Sequence, residues 1–171
     1  MSVTRASYAI ALGSNRPLSA RLTPQALVIA AMAALDQLPL KLCATSPVIG
    51  SAPLGPSLRR YANAAAIVET DLSPPALLLR LKTLERTFGR RSGQRWGART
   101  LDLDIILWSG GRWDQRGLHV PHEAFRQRAF VLSPLTSITP LWRDPVTGLR
   151  IRHLLARTRQ SKPVDRIGKP L

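Results

Sequence analysis

Two aspartates spaced two residues apart, Asp102 and Asp104, are the side chains in this sequence best suited to holding a metal ion. They lie in an alternating segment, Leu101 to Trp108, that is typical of a β-strand, so both carboxylates leave the same face. The other face is apolar and carries Leu101, Leu103, Ile105 and Leu107. Two neighbouring carboxylates repel each other unless a cation or proton lies between them, and hard oxygen ligands suit magnesium. A solvated polar strand face is the competing interpretation.

The segment before this strand is rich in arginine and carries Arg90, Arg91, Arg95 and Arg99. Guanidinium groups present forked donors that match phosphate oxygens. Basic residues beside metal-binding acids indicate phosphoryl transfer, in which catalysis is mostly positioning and charge neutralisation. A basic loop that binds RNA, or that binds nothing in particular, fits the same composition, so the residues alone leave both open.

Tyr61 and Asn63 also alternate, so a phenol ring and an amide share one face of a second predicted strand. An aromatic ring beside a group that donates and accepts hydrogen bonds suits a planar heterocycle. Phe130 or Trp96 could stack on the opposite side of such a ligand. Packing in the core is the alternative for Tyr61 and Phe130.

Other polar residues occupy positions that call for an explanation. Glu85 falls on the apolar stripe of a predicted helix, one turn after Leu81, so its carboxylate needs a basic partner or a place facing a pocket. His119 and His122 flank Pro121, which spoils helical metal-ligand geometry, and we expect them to bind phosphate or to form hydrogen bonds.

The elements that must position these residues follow a βαββαβ order. Strands are expected at Tyr8 to Leu12, closed by a Gly13-Ser14-Asn15 turn, and at Lys41 to Ile49, Tyr61 to Thr70 and Leu101 to Trp108. Helices are expected to begin at Thr23-Pro24 and Ser73-Pro74, and the second to end at Gly89. This order predicts an α+β fold, a ferredoxin-like sandwich with C-terminal additions. We expect a catalytic domain over 1–148 and a basic tail over 149–171 that can belong to the same domain.

The composition of the chain limits the kinds of partner that this protein can bind. The net charge of +15, from 25 basic and 10 acidic residues, attracts polyanions. The longest apolar stretch, Ala26 to Leu35, is too short to cross a membrane, and no signal-peptide pattern is seen at the N-terminus. Cys43 is the single cysteine, which fits a reducing cytoplasm. We also expect a monomer in solution.

Several separated motifs together resemble the 6-hydroxymethyl-7,8-dihydropterin pyrophosphokinase family. They are Ala11-Leu12-Gly13-Ser14-Asn15, Pro53-Leu54-Gly55-Pro56, Tyr61-Ala62-Asn63-Ala64, the segment from Arg95 to Asp104, Val120-Pro121-His122 and the segment from Arg128 to Leu132. The resemblance runs from Tyr8 to about Pro140. It implies a ferredoxin-like core and transfer of pyrophosphate from ATP to the hydroxymethyl oxygen of the pterin, with AMP released.

The resemblance also implies site residues. It implies that Asp102 and Asp104 bind two magnesium ions and act in catalysis with Arg90, Arg95 and Arg99. The residues implied to bind the pterin are Pro53, Leu54, Gly55, Tyr61, Asn63, Trp96 and Phe130. The residues implied to bind ATP are Glu85, Arg95, Arg99, Ile105, His122 and Arg128.

The sequence departs from the family pattern at Ser92, Ala98 and Glu123 and at the pair Arg59 and Arg60. Ser92 and Glu123 support one alternative, a family-like protein that is catalytically impaired. A basic nucleic-acid-binding module is the other alternative, although two carboxylates on the fourth strand would repel a phosphate backbone in the absence of metal.

Overall fold

The computed structural model describes residues 5–19, 21–52, 59–89 and 100–160, which form antiparallel strands and four α-helices. The strands are β1 (Ala6–Ser14), β2 (Lys41–Thr45), β3 (Ile49–Ser51), β4 (Tyr61–Thr70), β5 (Asp102–Trp108), β6 (Trp113–Gln115) and β7 (Leu118–Val120). The helices are α1 (Pro24–Ala34), α2 (Pro74–Thr87), α3 (Ala129–Ile138) and α4 (Ile151–Gln160), with a 3₁₀ turn at Phe125–Gln127.

The main sheet has the strand order β2-β4-β1-β5, and β3 also pairs with β4. Every pairing in it is antiparallel, and β5 lies at an edge. The strands β6 and β7 form a separate hairpin. The chain is therefore a mixed α and β protein built on an antiparallel sheet, as expected from the element order.

Both faces of the sheet are covered, because alternate strand residues belong to different clusters of buried side chains. One cluster joins Leu12, Ala64 and Leu103 to α1 and α2. The other joins Ala9, Ala65 and Ile106 to α3 and α4. The expected packing of helices on one face of the sheet therefore holds for α1 and α2 only. The C-terminal helices α3 and α4 cover the other face.

Both N-terminal helices begin where the sequence indicates. Thr23 caps α1 by accepting a hydrogen bond from the Ala26 amide at 3.2 Å. Ser73 is the N-cap of α2, and a proline follows each cap in the first turn. Gly89 follows α2 with φ +82°, a left-handed conformation that glycine adopts at little cost.

Three sequence predictions need correction. The segment from Lys41 to Ile49, expected to be one strand, contains two, because regular strand structure is interrupted between Thr45 and Ile49. Gly13 and Ser14 belong to β1 rather than to a turn, because both pair with β4. Leu107 packs with α3 and α4 rather than with Leu103, because a register shift between β1 and β5 changes which face later residues take.

The C-terminal helices pack on the sheet through apolar side chains, and an ion pair joins the loop between them to the 3₁₀ turn before α3. Asp144 is fully buried and accepts two hydrogen bonds of 2.7 Å from the Arg126 guanidinium. Burial alone would raise the pKa of Asp144, but hydrogen bonds from Arg126, Thr147 and Val146 outweigh it, so the pKa lies below its ordinary value.

No helix in the described ranges is long and apolar enough to span a bilayer.

Candidate active site

A row of three residues lies near one end of strands β5, β1 and β4 and defines the candidate site. Asp102 of β5 is opposite Gly13 of β1, and Gly13 is opposite Asn63 of β4. Residues opposite one another in a sheet point to the same face, so the carboxylate and the amide share a face. Neighbouring strands lie about 4.8 Å apart, which places the Asp102 and Asn63 backbones about 10 Å apart.

Small residues leave the space between these polar groups open. Gly13 has no side chain, and the next row on the same face pairs Asp104 with Ala11 and Ala11 with Ala65. A Cβ added at Gly13 would lie 3.6 Å from Asn63 Oδ1, so the amide of Asn63 lies over the glycine. The floor between the carboxylates and the amide is therefore shallow, and a flat ligand can lie close to the backbone.

Asn63 is held in a defined orientation. It is 5% exposed, and its Nδ2 donates to Ser51 Oγ at 2.8 Å. Ser51 belongs to β3 and is opposite Tyr61, the other residue that sequence analysis placed on this face of β4. Because one N–H is used by Ser51, the amide oxygen is directed toward Gly13 and the floor of the site.

The two aspartates fit a magnesium ion by their chemistry. Asp102 and Asp104 are half-buried and leave the same face of β5, whereas Leu103 between them is fully buried on the other face. The described residues contain no group of three or more His, Cys, Asp or Glu that could hold a metal. Two carboxylates without further protein ligands suit an ion that keeps water or phosphate oxygens as its remaining ligands, as magnesium does.

Glu85 has the basic partner that its position on an apolar stripe required. The side chain is fully buried, and its Oε1 accepts from Lys82 Nζ at 2.6 Å and from the Leu103 amide at 2.8 Å. Lys82 Nζ also donates to the Leu103 carbonyl at 3.3 Å and lies 4.0 Å from Asp102 Oδ1. The pair thus fastens α2 to the backbone between the two aspartates. An ATP contact by Glu85 stays a prediction.

Two sequence-predicted residues lie at the start of α3, on the same face of the sheet as the aspartates. Phe130 is half-buried and packs beside the cluster that contains Ala65. The Arg128 guanidinium carbon lies 5.9 Å from the centre of the Phe130 ring. An aromatic ring and a cation therefore lie together on this face.

His122 lies beside β5, because its amide donates to the Ile106 carbonyl at 3.1 Å. Its Nδ1 accepts from the Ala124 amide at 3.2 Å, so the neutral ring carries its proton on Nε2. That N–H is suited to a phosphate oxygen. Glu123, the departure next to it, lies 3.7 Å from His119, whose other nitrogen is 2.8 Å from Asp114.

Ile105 does not present its side chain to this face. It is 3% exposed and packs in the core cluster with α1 and α2. A contact between Ile105 and ATP would have to involve its main chain, and it stays a prediction.

Seven of the sequence-predicted site residues lie outside the described residues. They are Pro53, Leu54, Gly55, Arg90, Arg95, Trp96 and Arg99.

Sequence reasoning missed three described residues of this site: Gly13, Ser51 and Lys82. The reading of Gly13 as a turn hid its place in the floor. Ser51 came from a segment interpreted as a loop, and nothing local links it to Asn63. Lys82 could have been found, because it lies three positions before Glu85 on a predicted helix, where side chains are neighbours.

Comparison with known proteins identifies the family of this chain. A family model described as 7,8-dihydro-6-hydroxymethylpterin-pyrophosphokinase matches residues 9–140. The 2-amino-4-hydroxy-6-hydroxymethyldihydropteridine pyrophosphokinase of Pseudomonas aeruginosa is 42% identical over 149 residues, which cover 86% of this chain and 88% of the relative. The protein of the same name from Haemophilus influenzae is 43% identical over 131 residues, or 75% of this chain and 79% of the relative.

Solved structures support the same fold. A crystal structure of an HPPK-DHPS protein in complex with substrates superposes with a TM-score of 0.70 at 12% identity, covering 92% of this chain and 44% of that chain. The wild-type HPPK-DHPS of Plasmodium falciparum gives a TM-score of 0.69 at 13% identity, over 90% and 44% of the two chains. At this identity the likeness concerns the fold. The family match and the close relatives decide the assignment: the chain belongs to the 7,8-dihydro-6-hydroxymethylpterin-pyrophosphokinase family.

Proposed function

We propose that this protein transfers pyrophosphate from ATP to the hydroxymethyl oxygen of 6-hydroxymethyl-7,8-dihydropterin, with release of AMP, in folate biosynthesis. The chain is a pyrophosphokinase by family. The row of Asp102, Gly13 and Asn63 is the observation that supports this proposal most strongly. In it, an open floor separates the carboxylates from an amide that can form hydrogen bonds with the edge of a ring.

Asp102 and Asp104 would hold magnesium, with two ions as the expected number. When held by these two carboxylates, magnesium would supply positive charge that neutralises the phosphates of ATP and the developing leaving group. The strand geometry contributes by holding both carboxylates on one face before any ligand arrives.

The pterin would lie over Gly13. Asn63, oriented by Ser51, would read the edge of the ring through its amide oxygen, and Tyr61 and Phe130 would contact the ring faces. The segment of Pro53, Leu54 and Gly55, and Trp96, are proposed to complete this part of the site. This places the hydroxymethyl group between the amide and the carboxylates.

The nucleotide would lie on the side of His122 and Arg128. The imidazole N–H and the guanidinium group are donors for phosphate oxygens. Arg90, Arg95 and Arg99 are proposed to neutralise the remaining phosphate charge. No covalent enzyme intermediate is required, because positioning the hydroxyl oxygen in line with the β-phosphorus suffices for direct displacement.

We also infer that the core is a ferredoxin-like sandwich and that the chain acts as a monomer. If β2 and β3 are counted as one interrupted strand on the edge of β4, the elements run βαββαβ with the two helices on one face. The helix α4 supplies buried Ile151, Leu154 and Leu155 to the second cluster. For this reason we propose that residues 149–160 belong to the same domain as the site.

The nucleic-acid alternative is less favoured, since the row at the site presents carboxylates rather than stacking aromatics. Catalytic impairment is the more specific alternative, based on Ser92 and Glu123. The exposed side chain of Glu123 lies next to His119, which argues against its acting on the nucleotide directly.

The test is to incubate the purified protein with ATP, magnesium and the hydroxymethyl dihydropterin and to separate the products by chromatography. AMP and the pyrophosphorylated pterin should form in equal amounts, and Asp102→Asn should abolish both while leaving the far-UV circular dichroism spectrum unchanged. Formation of ADP in place of AMP, or full turnover by Asp102→Asn, would overturn the proposal.

A further inference from the structure

Lys82 lies at the border of the proposed metal site. Its Nζ is 2.6 Å from Glu85 Oε1, 3.3 Å from the Leu103 carbonyl oxygen and 4.0 Å from Asp102 Oδ1. Its side chain is 30% exposed, whereas that of Glu85 is fully buried. The ammonium group is therefore held by the protein next to Asp102, and part of the lysine side chain is exposed to solvent.

The position of this charge is fixed by the fold rather than by a flexible surface contact. Glu85 Oε1 also accepts from the Leu103 amide, so the lysine, the glutamate and the backbone of β5 form one connected network. Movement of Lys82 away from Asp102 would break its hydrogen bonds to Glu85 and Leu103. A bound lysine with such partners acts as a stationary charge.

This charge has opposite consequences for two forms of magnesium. A bare divalent cation that approaches Asp102 is repelled by Lys82, which offsets part of the attraction of the carboxylates. Magnesium that arrives with a nucleotide brings phosphate groups of net negative charge, which the same ammonium attracts. A fixed lysine here therefore favours the metal–nucleotide complex over the free ion.

We propose that Lys82 is a specificity-determining residue of the metal site, a resident cation that weakens binding of bare magnesium and strengthens binding of the magnesium–ATP complex. The inference rests on the proposed function, because it takes Asp102 and Asp104 as the metal ligands. In this proposal, Lys82 helps to determine whether the site binds bare magnesium or magnesium in complex with ATP.

The test measures two affinities in Lys82→Gln, which keeps a hydrogen-bond donor and removes the charge. Binding of Mn²⁺ alone, followed by the loss of its free electron paramagnetic resonance signal, should become about three- to tenfold tighter. Binding of a non-hydrolysable ATP analogue in the presence of magnesium, followed by calorimetry, should become about three- to tenfold weaker. A lysine with a merely structural role would weaken both, and that result would overturn the proposal.

Two control variants separate local charge from other effects. Lys41→Gln also removes one positive charge from a lysine near a glutamate, since Lys41 Nζ lies 3.8 Å from Glu69, but β2 is at the far edge of the sheet from β5. It should leave both affinities unchanged. Lys82→Arg retains the charge and should also keep both within about twofold of the wild type.

A further comparison keeps the two proposals distinguishable. Asp102→Asn should abolish Mn²⁺ binding, and if it binds Mn²⁺ as the wild type does, the metal assignment fails. If Asp102→Asn loses the metal but Lys82→Gln does not bind it more tightly, only the role of Lys82 fails. Should Lys82→Gln fold poorly, Lys82→Gln/Glu85→Gln is compared with Glu85→Gln, and the double variant should again bind Mn²⁺ more tightly.

Discussion

Replacing Gly13 with alanine should separate the stability of this protein from its ability to bind the pterin. Gly13 lies near the C-terminal end of β1, paired with Asn63 on one side and Asp102 on the other. The added methyl would meet Asn63 Oδ1 at 3.6 Å, an ordinary van der Waals distance, so the fold has room for it. Alanine also restricts the unfolded chain more than glycine, which favours the folded state by about 0.5–1 kcal/mol.

The same methyl would occupy the floor on which the pterin is proposed to lie. A ring that rests on Gly13 would have to lift away from Asn63 or displace it, and overpacking of this kind costs about 1–3 kcal/mol. The dissociation constant for the pterin should therefore rise about five- to a hundredfold, while the affinity for the ATP analogue changes little. Thermal unfolding and the change in pterin fluorescence on binding measure the two effects.

Gly50→Ala is the matched control. Gly50 lies in β3 and is exposed, and a Cβ there would meet the Arg60 guanidinium at 3.6 Å, the same distance as at Gly13. It should stabilise the strand to a similar small degree without altering pterin affinity. Unchanged pterin binding in Gly13→Ala would refute the placement of the ligand over this glycine, as would an equal loss in Gly50→Ala.

Three further variants test other parts of the structure. Ser51→Ala removes the acceptor that orients Asn63, so pterin affinity should fall about fivefold, since one hydrogen bond contributes about 1 kcal/mol; an unchanged affinity in fluorescence titration would contradict this role. Phe130→Leu keeps apolar bulk and removes the ring, so pterin binding should weaken about three- to tenfold with unchanged ATP-analogue affinity, and equal losses for both ligands would count against stacking. Arg126→Met leaves buried Asp144 without its bidentate partner and should lower the free energy of unfolding by about 3 kcal/mol at pH 7, measured with urea. Because the pKa of Asp144 is lowered in the folded state, this stabilisation is complete above the ordinary carboxyl pKa of about 3.9 and is lost as the pH falls through the folded value. The difference between variant and wild type should therefore shrink as the pH falls below about 4, and a constant difference would show that the ion pair is not its source.

Local signals in the sequence predicted the elements that begin and end at caps and breakers. Both N-terminal helices start at a Ser or Thr followed by proline, and β4 spans the alternating segment from Tyr61 to Thr70 as expected. These features depend on residues close in sequence, which a single chain reveals. The same holds for the shared face of Asp102 and Asp104, which follows from strand geometry alone.

The features that sequence reasoning missed are non-local. Gly13 looks like a turn residue, and only its pairing with two other strands shows that it forms the floor between Asp102 and Asn63. The shift that turns Leu107 to the second face depends on how β1 and β5 align. Neither alignment can be obtained from the spacing of apolar residues within one strand.

Glu85 shows where the two kinds of information meet. Its place on an apolar stripe required a partner, and helical spacing offered Lys82 on the same side of the helix. Helical spacing does not reveal that the pair also binds the backbone of Leu103, because that contact crosses from α2 to β5. Yet this contact is what brings a positive charge to 4.0 Å from Asp102. A residue that pairs with its neighbour on a helix thereby lies where it can influence the metal site, which is why Lys82 must be tested by ligand affinity and not by stability alone.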